Sequence, residues 1–599
     1  MDVFNPKILD ASIRDVSSCL TDNQKADLLL YAMRSLQLEG RSRTIVENAI
    51  QSCLQITTLS PENTAKARIL RARARLAAGS HFGAQEDLQA ALNAEPDNPE
   101  AKALLHQRSV TVEKLLSPLP QKKERFSTEI WREIALYLPR QDLKALLFIP
   151  HTISRVASQL LFRNLDLHFG AIEEELQGDR WSSGLPLIRG EDSRDAQRSA
   201  DILTRIIVDP VFASAVRTLR IYAPLRDGSM AFQTGMLTNA LPKLINLRNV
   251  HISAGTEGVI PVLRMLQLCT PRLRGLSLES PDAQTDLGFL EFKHLAHFSY
   301  STNGGANNQV QTFLAQNRDF LRTVYIVNHS WTFLTNSVSI RNLTHIHFIG
   351  AIPANSQIFA DMLINGRQLE SLTLGGMVDC VGSSQFRTLQ SALPFLRHFA
   401  FSVHAVGRRV VDRDLFPAIA EFLRGRDKLK TLELTAFDEH AQRAVGFDAS
   451  VWGVLPSLVN LKGLTITYPA DLSPGLASWL IPRSVLALAL TLDHIPSGTR
   501  DPMSFLDQIR AGVPPTLRYI GLSDLLPLRN VTAVVDRGFP MVRVVRVGNN
   551  YWTVRKGPDG VLREMEAWSK RTVMYHIAEW LEWLGCEDGH VREPSEFPS

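Results

Sequence analysis

A short apolar pattern repeats along most of this 599-residue chain and limits the folds open to it. The pattern is apolar-x-x-apolar-x-apolar, typical of a short strand with one buried face. A first copy surrounds Leu165, and thirteen more follow between Leu219 and Val545 at a mean spacing of about 27 residues. The central residues of all copies are Leu165, Leu219, Val250, Leu276, Phe298, Val324, Ile346, Leu372, Phe399, Leu432, Leu464, Leu488, Ile520 and Val545.

Apolar segments with helical spacing separate these strands, for example over residues 259–268, 310–321 and 415–423. Strand and helix alternating at this period predict a curved α/β solenoid with a parallel inner sheet. The pattern resembles leucine-rich repeats, and we expect such a solenoid over residues 160–550. Residues 551–599 are expected to form a C-terminal cap and tail, with a helix over 571–584 covering the last apolar layer.

The N-terminal region, residues 1–118, is expected to be helical and internally repeated. Small and apolar residues followed by a proline recur 35 positions later, as Ala49, Cys53, Ile56 and Pro61 and then Ala84, Leu88, Ala91 and Pro96. Small side chains let two helices approach closely, and the proline turns the chain. This pattern resembles tetratricopeptide repeats.

Residues 124–168 predict three short helices. Ser127 or Thr128 can cap the first, Pro139 ends it, and Asp142 can cap the second. The third runs over 153–162. The segment resembles an F-box, which implies that its apolar face docks on a Skp-type adaptor. The candidate adaptor-binding residues are Ile130, Ile134, Leu138, Pro139, Leu143 and Leu146.

The order of the three regions resembles fungal F-box substrate receptors with tetratricopeptide repeats ahead of the F-box. The resemblance implies the substrate-recognition subunit of a Skp–cullin–F-box ubiquitin ligase, joined to a cullin through the adaptor. The alternative is a protein-interaction scaffold without a ligase role. Because alternate strand residues share a face, candidate contacts with a protein substrate are Arg220, His251, Tyr325, His347, Glu433, Tyr519 and Arg546.

Composition and charge further limit the classes of protein to which this chain can belong. The net charge is only +4, with 65 basic and 61 acidic residues, so we expect no direct nucleic-acid binding. No apolar stretch approaches the roughly 20 residues that a membrane span needs. The five cysteines are far apart and odd in number, which argues against a disulfide framework. Without a signal-peptide pattern, a cytoplasmic or nuclear location, or both, is expected.

The sequence predicts no catalytic site, no cofactor and no metal. Five histidines fall on the expected concave face: His251, His297, His345, His347 and His398. Those on alternate strands would stand about 10 Å apart, too far to share one metal ion. Arg68, Arg71 and Arg75 share a helical face in the N-terminal region, where they form either a groove for an acidic peptide or a solvated surface.

Overall fold

The computed structural model describes residues 19–34, 49–105, 127–169, 189–223, 230–522, 531–556 and 562–589, with short gaps inside these ranges. Contacts between residues divide the chain into two compact units, Met1–Arg125 and Phe126–Ser599. Pro139 lies outside the described residues.

The first unit contains helices α1 (Asp22–Arg34), α2 (Pro61–Ala77) and α3 (His81–Ala94), with further helical residues at 49–54 and 99–105. Helices α2 and α3 pack against each other through alanines. Ala65 and Ala72 of α2 and Ala84 and Ala91 of α3 are fully buried. Ala84 and Ala91, two of the small residues of the 35-residue repeat, therefore lie in the contact between the helices.

The second unit begins with a bundle of three helices, α4 (Thr128–Leu136), α5 (Arg140–Leu146) and α6 (Thr152–Leu161). Its core contains Ala135, Leu143, Val156, Ala157 and Leu161. The three predicted helices are present, but α5 begins at Arg140. Asp142 therefore lies in the first turn, where its charge favours the helix dipole, and does not cap the helix.

A sixteen-stranded sheet follows in which spatial order equals chain order. Strands β1–β14 are parallel, and the last two strands are antiparallel to their neighbours. The strands are β1 Asn164–His168, β2 Thr218–Tyr222, β3 Asn249–Ser253, β4 Gly275–Glu279, β5 His297–Ser301, β6 Thr323–Thr332, β7 His345–Ile352, β8 Ser371–Val378, β9 His398–Val406, β10 Thr431–Ala436, β11 Gly463–Thr467, β12 Ala487–Thr491, β13 Tyr519–Leu522, β14 Val544–Val547, β15 Asn550–Lys556 and β16 Leu562–Ala567.

The fourteen predicted central residues form one continuous row across the sheet. Leu165 pairs with Leu219, Leu219 with Val250, and the pairing continues without a shift to Val545. Every member of this row is buried. Burying one such side chain stabilises a fold by roughly 1.5–3 kcal/mol. The repeat thus fixes both the strands and their register.

Helices lie between the strands and cover the other side of this row. They are α7 Arg189–Val208, α8 Pro210–Ala215, α9 Met230–Ala240, α10 Thr256–Cys269, α11 Asn308–Asn317, α12 Gln357–Asn365, α13 Ser383–Thr388, α14 Leu415–Leu423, α15 Glu439–Val445, α16 Ala449–Trp452, α17 Pro474–Leu480, α18 Pro502–Arg510 and α19 Val531–Ala533. Leu415–Leu423 matches its predicted range, and its apolar residues are buried. The fold is an open, solenoid-like α/β structure.

The C-terminal region differs from the predicted cap. The hairpin β15–β16 extends the sheet, and the last helix, α20, spans Ile577–Trp583. Leu581 of α20 packs with Tyr519 and Val544. These two residues alternate with Ile520 and Val545, so they face away from the solenoid core. Helix α20 therefore covers part of the concave face instead of closing the end of the repeat stack.

Candidate functional site

Helix α4 leaves an apolar face uncovered. Ile130, Ile134 and Tyr137 follow one another at helical spacing and are 45%, 41% and 85% exposed. We call this surface the apolar patch, which comprises Ile130, Ile134 and Tyr137. Exposed apolar side chains on one face of a helix form a candidate surface for binding another protein.

The structure separates the predicted adaptor-binding residues into two groups. Ile130 and Ile134 lie in the apolar patch. Leu143 is buried in the bundle core and cannot form a surface contact, so that assignment is corrected. Leu138 and Leu146 are partly buried against the same core. Both groups are apolar and helically spaced, which is why their sequence could not distinguish core from surface.

Four exposed apolar residues of the bundle were not predicted: Leu136, Tyr137, Phe148 and Ile149. Tyr137 follows Ile130 by seven residues, so helical spacing alone could have placed it on the same face. Phe148 and Ile149 come after α5, in a turn where the sequence carries no periodic signal.

Six of the seven predicted substrate-binding residues lie in one row of the concave face. The row passes from Asp166 through Arg220 and His251 to Ser277 and Ser299. It continues in register as Tyr325, His347, Thr373, Ala400, Glu433, Thr465, Ala489, Gly521 and Arg546. Strand alternation thus placed these residues on the correct face.

The side chains that strands β2 and β3 contribute to this row are buried. Arg220 is 5% exposed, and its Nη1 lies 3.5 Å from Asp166 Oδ1. His251 Nδ1 and Ser277 Oγ form a hydrogen bond of 2.8 Å. Burial, and then the charge of Arg220, lowers the pKa of His251 to about 4. The prediction that Arg220 and His251 contact a substrate is therefore wrong, because both side chains are buried and engaged within the protein.

Tyr519 is also closed off. It lies in the neighbouring row of the concave face and is fully buried, in contact with the cluster that contains Trp568, Leu581 and Cys586. The C-terminal segment that covers it was expected at the end of the solenoid. The assignment of Tyr519 to a substrate surface is corrected for that reason.

The middle of the concave face contains a cavity of about 480 Å³. Tyr325, His347, Glu433 and Arg546 line it, together with Gly589 of the C-terminal segment. Small side chains on the intervening strands leave the space: Thr373, Gly375, Ser402, Thr465, Ala489 and Gly521. Four predicted substrate-binding residues therefore meet in one cavity, although they come from four different strands.

The cavity carries both an acidic and a basic group. Ser402 Oγ donates a hydrogen bond of 3.1 Å to Glu433 Oε1, and Thr435 Oγ1 donates one of 2.7 Å to Ser402 Oγ. Burial raises the pKa of Glu433, although this hydrogen bond and the charge of Arg546 act in the opposite direction. Arg546 Nε donates 2.7 Å to the carbonyl oxygen of Gly548.

A stacked pair of rings forms another wall of the cavity. The rings of Tyr325 and His347 are parallel, with centroids 3.9 Å apart. Burial lowers the pKa of His347 to about 3, so its imidazole is neutral at physiological pH. Its buried Nε2 has no hydrogen-bond partner among the described residues. The cavity thus combines a flat aromatic surface with polar groups suited to hold a side chain or small ligand.

The three arginines of the first unit converge on one carboxylate. Arg68 Nη1, Arg71 Nε and Arg75 Nη1 lie 2.8–2.9 Å from the oxygens of Asp87, which is 1% exposed. Burial opposes ionisation, but the hydrogen bonds and charges of the arginines outweigh it and hold the pKa of Asp87 below its usual value. Asp87 was not predicted from the sequence, and it pairs with part of this basic face from inside the unit. Binding of an acidic peptide to the remaining positive charge stays a prediction.

Histidines on alternate strands bond separately to their neighbours. His297 Nδ1 lies 3.1 Å from Thr323 Oγ1, and His398 Nδ1 lies 2.7 Å from Thr431 Oγ1. Within the described ranges, no three His, Cys, Asp or Glu side chains are grouped closely enough to bind a metal ion.

Comparison with known proteins gave no match: neither a protein-family model nor a curated protein sequence is significantly similar to this chain. Among the residues that the structure describes, no helix has both the length and the apolar character needed to span a bilayer.

Proposed function

We propose that this chain is the substrate-recognition subunit of a Skp–cullin–F-box ubiquitin ligase. The exposed apolar patch on α4 carries the proposal. The bundle buries a core of its own and yet exposes Ile130, Ile134 and Tyr137, which supports docking of a helical adaptor on this face. In this proposal the three helices are an F-box, and the patch binds a Skp-type adaptor that is attached to a cullin.

The solenoid would hold the protein substrate. Its cavity contains Glu433, Arg546 and the Tyr325–His347 pair, which can anchor one or two side chains of a partner. The chain would then act by proximity, because it raises the local concentration of substrate near the enzyme that transfers ubiquitin. No chemistry is assigned to this chain.

Co-expression with a Skp-type adaptor tests the proposal. We expect the wild-type chain to co-elute with the adaptor in size-exclusion chromatography, and the double variant Ile130→Asp, Ile134→Asp to elute alone. Two charges in an apolar interface cost several kcal/mol. Gln159→Asp is the control for an added carboxylate, because it puts one negative charge on an exposed position of α6 in the same bundle.

Circular dichroism must show that the double variant remains folded. A wild-type chain that fails to bind the adaptor at micromolar concentration would overturn the ligase proposal. The alternative, a scaffold of two repeat regions that bridges other proteins, would then explain the fold better.

A further inference from the structure

Ten of the fourteen positions immediately before the parallel strands carry a basic residue. Lys and Arg make up only about one residue in nine of the chain, 65 of 599, so about one or two would be expected there. We call these residues the basic ladder, which comprises Arg163, Arg217, Arg248, Arg274, Arg322, Arg397, Lys430, Lys462, Arg518 and Arg543.

Backbone hydrogen bonds hold these positions in single file. The N–H of Arg217 donates 2.8 Å to the carbonyl oxygen of Arg163, and the N–H of Arg248 donates 2.8 Å to that of Arg217. Corresponding bonds of 2.7–2.8 Å link every one of the fourteen positions to the next. Because neighbouring strands are about 4.8 Å apart, the ladder runs for roughly 60 Å across the sheet, at the amino-terminal ends of the strands.

The first four basic residues form an uninterrupted run without a counter-charge. Arg248 and Arg274 are exposed, and Arg163 and Arg217 are half-buried. None of these four takes part in an ion pair among the described residues. Partial burial, and then repulsion by Arg248 and Arg132, lowers the pKa of Arg217. The run is therefore mutually repulsive, and a bound anion would relieve that repulsion.

One later step of the ladder has a counter-charge, and two others are hydrogen-bonded to the C-terminal segment. Arg397 lies 3.8 Å from Glu370, the one acidic residue among the fourteen positions. Arg518 and Arg543 donate hydrogen bonds of 3.3 and 3.2 Å to the carbonyl oxygens of Gly585 and Leu584. The first four steps, at strands β1–β4 and next to Arg132 of α4, are therefore the longest unbroken run of basic residues in the ladder.

We propose that the run Arg163, Arg217, Arg248 and Arg274 binds the phosphate backbone of duplex nucleic acid without reading its sequence. Charges in single file at regular intervals match a polymer whose own charges are regularly spaced. A lipid surface presents charges in two dimensions and an acidic protein segment presents them irregularly, so both fit this row less well. The net charge of +4 does not reveal this row, because acidic residues elsewhere in the chain offset its positive charge.

The test measures binding of the full chain to a fluorescein-labelled DNA duplex of roughly 20 base pairs, about two helical turns. Fluorescence anisotropy is recorded over a range of salt concentrations. The ladder variant is Arg248→Glu, Arg274→Glu. The matched control is Arg413→Glu, Arg443→Glu, which makes the same change of charge at exposed residues. These residues follow strands β9 and β10, at the carboxyl-terminal side of the sheet.

We expect the wild type and the control to bind with similar affinity, and the ladder variant to bind at least about tenfold more weakly. The logarithmic salt dependence should fall by about one unit for each lost phosphate contact, hence by about two. An unrelated duplex sequence should give the same affinity. Equal weakening in the control, or binding to phosphatidylserine vesicles but not to DNA, would overturn the proposal. This result does not depend on whether the adaptor binds.

Discussion

Arg140 and Glu579 form an ion pair although 439 positions separate them. Arg140 lies in α5 of the three-helix bundle, and Glu579 lies in α20, the last helix of the chain. The two side chains are only 26% and 19% exposed. The pair joins the bundle at the start of the sheet to the segment that covers the concave face near its end.

Removing one partner of this pair should destabilise the second unit. We expect Glu579→Ala to lower the free energy of unfolding by about 1–3 kcal/mol, because Arg140 then keeps a poorly solvated charge. Arg140→Ala should have a similar effect, and the double variant should lose less than the sum of both. Urea unfolding of the four proteins measures this coupling. Additive losses would show that the pair contributes nothing.

The C-terminal segment should protect a cysteine from modification. Cys586 is 2% exposed, and burial raises the pKa of its thiol to about 12. Iodoacetamide should therefore modify exposed Cys19 first, while Cys586 should stay unmodified in the folded protein. Leu581→Ala should make Cys586 reactive, since it loosens the cluster around both residues. Peptide mass spectrometry measures each site. Rapid modification of Cys586 in the wild type would contradict the placement of α20.

The buried His251 should make the second unit less stable in mild acid. Its pKa is about 4 in the folded state and about 6.5 when unfolded, so the unfolded chain binds the extra proton between these values. Stability should accordingly fall as the pH drops from about 6.5 to 4, by up to about 1.4 kcal/mol per pH unit from this group. His251→Gln should reduce that slope. Urea unfolding at several pH values provides the comparison, and an unchanged slope would contradict the argument.

Asp87 should be needed for the stability of the first unit. Asp87→Asn should destabilise it by about 2–4 kcal/mol, because three arginines then face one another without a counter-charge. The lowered pKa of Asp87 means that its contribution is present above the unfolded pKa of about 3.9 and is lost as the pH falls through the folded value. Hydrogen exchange of α2 and α3 measures the loss. Asp97→Asn, at a fully exposed aspartate, is the control.

The sequence did not predict the hairpin β15–β16. The repeat pattern did predict the register of strands β1–β14, because the fixed period and the need to bury the central residue determine it together. The row from Leu165 to Val545 confirms it. The same logic placed Tyr325, His347, Glu433 and Arg546 on the concave face. It could not show that this face is covered at Tyr519, since that depends on a contact with distant Leu581.

A local sequence pattern also cannot distinguish a surface position from a core position when both need an apolar side chain. Ile134 and Leu143 are both apolar and helically spaced, yet one is exposed and the other buried. Asp87 was missed because its partners lie on another helix, and charge pairing between helices leaves no period in the sequence. The basic ladder has the same period as the repeat, but its residues occupy a position that the apolar pattern leaves unspecified.

Hydrogen exchange of α4 with and without a Skp-type adaptor tests the central claim most directly. The account predicts that amides over 128–137 become strongly protected when the adaptor binds, while those of α20 do not change. The variant Ile130→Asp, Ile134→Asp should show no protection. Binding of the adaptor with no change in α4, or protection elsewhere in the chain instead, would contradict the assignment of the apolar patch as the adaptor surface.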